Sequence, residues 1–296
     1  MISTLQTDGF GESKESEAAR IRKIEQFYVT VRREIMAAAP PEFVRETAMS
    51  QFHCDDGLGV ALKNVPSVPF NRWLGLGVDR PATEQAVDQA ISWMTEHASS
   101  IWGLEVTPAA LPAALPDWIE ARGLRAMPGG FATFWREAIQ VEQSPETGFV
   151  IRRADVEDAD VFGTTAVTCF GMPVSFRSWM SAFPGRPGWH TYLAFRDATP
   201  VGVAAMFIDA EMAWLGIDAT VPAFRGQGIH GALLSTRIGD AAQSGVKLLT
   251  IETDSPSANV PPNAAYRNIE RAGFILSHSR LHYGKVPGLE NERSTA

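Results

Sequence analysis

The sequence predicts an α/β fold built as two tandem units, each a twisted sheet flanked by helices. Three observations carry that reading. Apolar residues alternate between strand and helix spacing, most clearly in the second half of the chain. Short motifs recur in order: Trp73-Leu74-Gly75 returns as Trp214-Leu215-Gly216 and Pro81-Ala82 as Pro222-Ala223, both 141 residues later, while Ile119-Glu120-Ala121-Arg122-Gly123-Leu124 returns as Ile269-Glu270-Arg271-Ala272-Gly273-Phe274 at an offset of 150. A polar stretch over 142–148, containing Ser144-Pro145, divides the 296 residues near their middle. The expected division is a tail over 1–16, a first unit over 17–141, a linker over 142–148, a second unit over 149–286 and a tail over 287–296.

In the first unit, Ile21, Ile24, Phe27, Tyr28, Val31 and Ile35 fall at helical spacing over 16–39, and Pro40-Pro41 ends the run. Weak strand signals follow around His53, over 59–62 and over 72–78. A second helix is expected from near Pro81 through Met94, a short one over 117–122 closed by Gly123, and a strand over 131–135. In the second unit the expected order is a strand at 149–152, helices at 156–170 and 175–183, and strands at 191–195, 201–208 and 213–220. A helix opening at Arg225 runs to about Ser244, a strand spans 248–253, a helix 263–272, and further strands lie around Phe274 and Leu281.

Composition narrows the function. Hydrophobic residues make up 45% and charged residues 20%, ordinary for a globular protein with a real core. No apolar run reaches the roughly 18 residues a bilayer span needs, and residues 1–17 lack the apolar centre of a secretory signal. A formal net charge of −8 without a Lys/Arg cluster argues against a nucleic-acid surface. Cys54 and Cys169 lack metal or redox spacing and read as buried thiols in a reducing compartment; no metal, nucleic-acid or membrane partner is expected, and the location is read as cytoplasmic.

One segment carries chemistry. The strand over 213–220 runs through Val221-Pro222 into Arg225-Gly226-Gln227-Gly228-Ile229-His230-Gly231 and then into an apolar-periodic helix. The first amides of a helix lack internal partners and sit at the positive end of its dipole. Glycines let a phosphate approach them, and Arg225 adds a full charge. Neither Gly-x-x-x-x-Gly-Lys-Ser/Thr nor the dinucleotide-binding glycine pattern fits.

The run from Val221 to Leu233 resembles the acyl-CoA-binding motif of the GNAT superfamily of N-acetyltransferases, Arg/Gln-x-x-Gly-x-Gly/Ala. Asn263-Ala264-Ala265-Tyr266-Arg267-Asn268-Ile269-Glu270-Arg271-Ala272-Gly273-Phe274 resembles the helix and strand that follow in that fold. The resemblance covers 149–286 and implies a mixed, mostly antiparallel sheet with acetyl-CoA as acyl donor. It implies that the amides of Gln227, Gly228, Ile229, His230 and Gly231 hold the pyrophosphate, that Ala219, Thr220 and Val221 pair with the pantetheine arm, and that Asn263 and Asn268 flank it, with Arg225 and Gly226 completing the cofactor-binding turn. His230 departs from the usual Gly or Ala.

Direct transfer to an amine needs a proton acceptor and a donor for the departing thiolate. The tyrosine that many members of the superfamily use as donor falls here on Ile269. The candidates are therefore Tyr266 as acid and Asp218 and Glu252 as bases, with Tyr283 as an outlying alternative and a backbone amide near Thr220 for the oxyanion. At the 141-residue offset, Arg225–His230 map onto Glu84, Gln85, Ala86, Val87, Asp88 and Gln89, so the first unit reads as a degenerate copy without a CoA site. Tandem units with one active copy resemble the architecture of mycothiol synthase. The silent copy is expected to wall the acceptor pocket, with Trp73, Trp93 and Trp102 as core or wall. Loops at 171–176 and 184–189 would border that pocket, with Arg186 a slight anionic handle.

The resulting expectation is an acetyl-CoA-dependent N-acetyltransferase acting on a primary amine of a small molecule, as a monomer or homodimer. The alternatives are a peptide or protein N-acetyltransferase, a larger-acyl transferase, and a non-catalytic acyl-CoA sensor.

Overall fold

The computed structural model describes residues 14–139, 148–257 and 260–285. Apart from residues 14–16 and Gly148, the expected tails and linker lie outside the described residues.

The first unit supplies α1 (Lys14–Ala37), α2 (Pro41–Thr47), β1 (Met49–Cys54), β2 (Gly57–Leu62), β3 (Arg72–Leu74), α3 (Glu84–His97), β4 (Gly103–Val106), α4 (Leu115–Ala121), β5 (Arg125–Ala126) and β6 (Phe131–Glu137). The second supplies β7 (Val150–Ala154), α5 (Ala159–Phe170), α6 (Phe176–Met180), β8 (Trp189–Arg196), β9 (Thr199–Asp209), β10 (Met212–Thr220), α7 (Ile229–Gln243), β11 (Leu248–Asp254), α8 (Ala264–Arg271) and β12 (Ile275–Gly284). The apolar spacing of α1 is realised: Ile24, Tyr28 and Val31 are buried. Thr83 and Asn263 cap α3 and α8, each accepting the amide three residues on.

All the strands join one twelve-stranded sheet, ordered β1-β2-β3-β4-β12-β6-β11-β10-β9-β8-β7, with β5 on β12. Two pairs are parallel, β3 with β4 and β10 with β11. The repeat read from the sequence is a repeat of topology: Trp73 lies on β3 and Trp214 on β10, each the strand that pairs antiparallel on one side and parallel on the other.

The units are not self-contained. β6, from the first unit, lies between β11 and β12 of the second, while the far end of β12, Leu281–Tyr283, pairs with β4 of the first. The two strands expected around Phe274 and Leu281 are thus one ten-residue strand serving both halves. Strand periodicity marks which residues face inward but not which neighbour a strand takes, so this exchange is invisible in sequence.

Three apolar clusters fill the layers. One lies between the units, joining Ile24, Phe27 and Ile35 of α1 to Phe162, Trp179 and Trp214. A second lies under α7 and α8, and a third closes the first unit around Trp73, Leu104 and Trp102, with Trp93 packed against it. These tryptophans are core rather than pocket wall. The helix expected to open at Arg225 starts at Ile229, that expected from near Pro81 starts at Glu84, and the strand expected over 72–78 ends at Leu74; β4, only four residues long, carries no periodic signal.

Candidate active site

The centre of the second unit is a fork in the sheet. β10 and β11 pair from Met212↔Leu248 to Leu215↔Ile251 and then part. On the other side β10 stays on β9, but one extra residue intervenes between Gly216 and Ala219, a bulge in which Ile217 takes φ 53°. Bulge and fork together open a cleft of about 960 Å³ lined by Ala219, Thr220, Arg225, Gly226, Gly228, Ile229, His230, Gly231, Asn263 and Asn268.

The cleft leads onto the start of α7. Gly228 is its N-cap at φ 88°, without a capping side chain, and the first amide bond of the helix is Ala232 N–H to Gly228 O. The amides of Ile229, His230 and Gly231 therefore face the cleft with the helix dipole behind them. A Cβ placed on Gly226, Gly228 or Gly231 would meet nothing within 4 Å, so the space above the turn is open to a ligand. Arg225, Arg267 and Arg271 line the same cleft. Free amides, an open cradle and three guanidiniums fit a pyrophosphate.

The strand residues divide. Val221 donates its amide to Val201 O at 2.9 Å, so it faces β9 and does not line the cleft, contrary to expectation. Neighbouring amides on an extended strand point to opposite edges, which turns Thr220 N–H toward the fork. Gln227 does not line the cleft either. Asn263 spends its oxygen on capping and reaches Thr253 Oγ1 with its Nδ2 at 3.4 Å. Asn268 accepts from Arg271 through Oδ1 and presents Nδ2 to His230 Nδ1, each at 3.1 Å. That orientation makes Nδ1 the acceptor, so the proton sits on Nε2, 3.5 Å from Asp218 Oδ2.

The expected acid and bases are differently placed. Asp218 lines the cleft but forms a bidentate pair with the fully buried Arg237 of α7, its second contact at 2.7 Å. Burial works to raise its carboxyl, and Arg237 and His230 overcome this and hold it below the ordinary value. It is a structural anion rather than a free base. Tyr266 is buried in the cluster under α8, its ring edge-on to Phe134 at 4.8 Å, and lines neither cavity. Burial and Glu270 raise its hydroxyl. Tyr283 is buried in the first unit's core. Glu252 does face a cavity, but Tyr28 and Arg32 donate to Oε1 at 3.2 and 2.8 Å and Arg280 to Oε2 at 2.6 Å. Cys169, at the cleft's edge, has its thiol pushed up to about 12, chiefly by burial, which leaves no thiolate for a covalent relay.

A second cavity, of about 500 Å³, meets the cleft at Phe170, Asp218, His230, Thr253, Asp254 and Ala265. Its far wall comes from the first unit, from Arg32, Ile35 and Met36 of α1 and from Phe70. Met172 of the 171–176 loop borders it as expected. Arg186 does not serve it, being paired with Glu34 at 3.7 Å. Sequence reasoning missed Phe70 and Asp254; neither lies in a motif, and Phe70 is brought to the fork by long-range packing between the two units, where its ring meets Phe176 and Trp179.

The first unit's own groove is filled by its chain. α3 starts at Glu84 and α7 at Ile229, an offset of 145, so the counterparts of Arg225–Gly228 are Arg80–Thr83 and not the Glu84–Gln89 run. There Ala82 N–H donates to Leu111 O at 2.7 Å and Leu111 N–H to Gly77 O at 2.8 Å. A Cβ on Gly77 would meet Leu111 O at 2.4 Å. Thr83 closes the helix start, and Glu84 and Asp88 stand beside it, paired with Arg122.

No family model matches the sequence, and no curated protein matches it. Solved structures do match in fold. A GCN5-related N-acetyltransferase from Kribbella flavida superposes with a TM-score of 0.58 at 18% identity, over 92% of this chain and 96% of its own. A tandem GNAT protein from the clavulanic acid biosynthesis pathway gives 0.56 at 15%, over 83% of each chain. An acetyltransferase from the GNAT family of Colwellia psychrerythraea gives 0.53 at 15%, over 92% and 97%. The chain has the GNAT fold in tandem arrangement. Among the described residues no helix is long and apolar enough to cross a membrane, and no group of three or more His, Cys, Asp or Glu could hold a metal.

Proposed function

We propose that the chain is an acetyl-CoA-dependent N-acetyltransferase that moves the acetyl group directly to the primary amine of a small molecule, at one donor site per chain. The observation that carries this is the fork: β10 and β11 separate beyond Leu215↔Ile251 onto the uncapped, glycine-lined start of α7. The amides of Ile229, His230 and Gly231 would hold the pyrophosphate, with Arg225, Arg267 and Arg271 as counter-charges. Bound there, the donor supplies a thioester activated for attack. Thr220 N–H would stabilise the oxyanion on its carbonyl.

Two features bear on how the chemistry runs. The raised Cys169 thiol favours direct transfer over an acyl-cysteine. Among the described residues lining the two cavities no tyrosine takes the place of the missing one, since Ile269 stands at that position in the cavity wall and Tyr266 is buried. A thiolate is a good enough leaving group to depart without a dedicated acid and takes its proton from water.

Acetyl-CoA should raise the melting temperature, and thiol should be released when an amine is added. Absence of a thermal shift would sink the reading. A shift without thiol release from any amine would leave the acyl-CoA sensor, the reading that the burial of Tyr266 favours.

A further inference from the structure

The cavity between the halves specifies its occupant through two properties, its lining and its one uncompensated charge. Phe70, Phe131, Phe170, Trp179 and Trp214 give it aromatic walls. Three carboxylates face it. Asp218 is neutralised by Arg237, and Glu252 by Arg32 and Arg280. Asp254 has no ion pair or hydrogen-bond partner among the described residues and lines both the cavity and the donor cleft. It lies two residues beyond Glu252, on the same strand face, where β11 has left β10. Among the described residues Arg32 is the only arginine or lysine in the lining, and Glu252 holds it.

We propose that the acceptor is a monoamine with an apolar aryl-alkyl or alkyl body. Its ammonium rests against Asp254 at the mouth of the donor cleft, its body fills the cavity, and Met36 and Phe70 of the first unit set the length accepted. This rests on the donor-site reading above. An amino acid would bring a carboxylate to a lining with no free cation. A polyamine would bring several ammonium groups to a single free carboxylate. An aminoglycoside or peptide would bury many hydroxyls or amides against walls that offer few partners, among them Ser67, Thr253 and the indole N–H of Trp214. A volume of about 500 Å³ suits a small organic body.

The transfer balances without a further reactant. The ammonium gives one proton to water at Asp254. Its nitrogen then forms the C–N bond at the thioester carbonyl as the C–S bond breaks. The second nitrogen proton is lost on collapse, one proton goes to the thiolate, and the other to solvent.

The test uses the full chain with acetyl-CoA and measures thiol release from n-alkylamines of increasing length, 2-phenylethylamine, glycine, spermidine and an aminoglycoside. The expected result is a kcat/KM that rises about fourfold per methylene until the cavity is full, with the polar amines at least tenfold below hexylamine. A flat series, or preference for a polar amine, overturns the acceptor assignment while an acetyl-CoA thermal shift keeps the donor site standing. No thermal shift overturns both. Asp254→Asn should raise the KM for hexylamine at least tenfold while a thermal shift with acetyl-CoA is still observed, and an unchanged KM removes the ammonium site. Phe70→Ala should change the hexylamine-to-ethylamine ratio, a comparison within one protein that does not depend on its yield; an unaltered ratio removes the first unit from the specificity.

Discussion

Arg280 of the last strand and Glu25 of the first helix form a salt bridge at 2.8 Å, with 1% and 4% of their side chains exposed. The pair anchors a buried network that ties the ends of the chain together. His278 reaches Glu25 at 2.7 Å, Arg72 and His282 reach Glu105 at 2.8 and 3.1 Å, and Arg280 lies over the Tyr28 ring at 3.6 Å. The other end of Arg280 holds Glu252 in the wall of the acceptor cavity. Ions this deep are tolerated only when partnered, so the network forms only when both halves are in place.

Removing one partner should therefore be expensive. Glu25→Gln leaves Arg280 and His278 facing a neutral amide, and a loss of about 3–5 kcal/mol is expected from urea unfolding at pH 7. Burial works to raise the Glu25 carboxyl, but Arg280 and His278 outweigh it and lower it beneath its ordinary 4.5. A lowered folded pKa contributes stability above the unfolded value, and that contribution is lost as pH falls below about 4.5. The wild type should lose stability in that window, and Glu25→Gln should lose less. Parallel pH profiles would contradict the assignment.

Asp218 and Asp254 should separate by the same logic. Asp218→Asn strands the buried Arg237 and should cost about 3–5 kcal/mol. Asp254 is exposed and unpaired, so its amide variant should stay within about 0.5 kcal/mol of wild type. Thermal unfolding of both variants without ligand checks this. Equal stability would mean that the Asp218 ion pair contributes little.

Gly231 has helical backbone and open space at its Cβ position, so nothing within the protein requires glycine there. Gly231→Ala should stabilise the unliganded chain by about 0.5–1 kcal/mol through helix propensity. It should weaken acetyl-CoA binding if the pyrophosphate sits on that turn. Melting temperatures with and without acetyl-CoA measure both effects, and an unchanged shift would move the phosphate elsewhere.

The filled groove of the first unit makes a stoichiometric statement. Isothermal titration should give one acetyl-CoA per chain. Thr83→Ala removes the cap of α3 and should cost about 1 kcal/mol without altering that affinity. Two sites per chain, or an affinity that follows Thr83, would show that Leu111 yields its place.

The sequence made some of this legible and concealed the rest for physical reasons. The turn at Arg225–Gly231 and the duplicated order of elements were readable because glycines, proline and apolar spacing act locally. The pairing of the candidate base Asp218 with Arg237 is hidden in the sequence because it follows from the bulge at Ile217, and a β-branched residue at φ 53° leaves no local signature. The offset of 141 misplaces the silent turn because the path from Trp73 to the start of α3 is four residues shorter than that from Trp214 to the start of α7. Phe131 reaches the cavity through a strand exchange, and Met36 and Phe70 through packing between the units, each against residues over a hundred positions away and so beyond any window of periodicity.

That exchange governs what happens when the chain is divided. Residues 149–286 alone would leave the inward edges of β11 and β12 without β6, exposing two unpaired strand edges beside the cluster under α8. The first unit alone would leave β4 without the end of β12 and Glu25 without Arg280. Each piece expressed singly should be insoluble or self-associated. Co-expression of 1–141 with 142–296 should give a one-to-one complex, because every strand then recovers its neighbour, and acetyl-CoA should raise its melting temperature. Size-exclusion chromatography with light scattering distinguishes the outcomes. A stable monomer of 149–286 with a full acetyl-CoA shift would show that β6 is dispensable and that the second unit completes its own sheet.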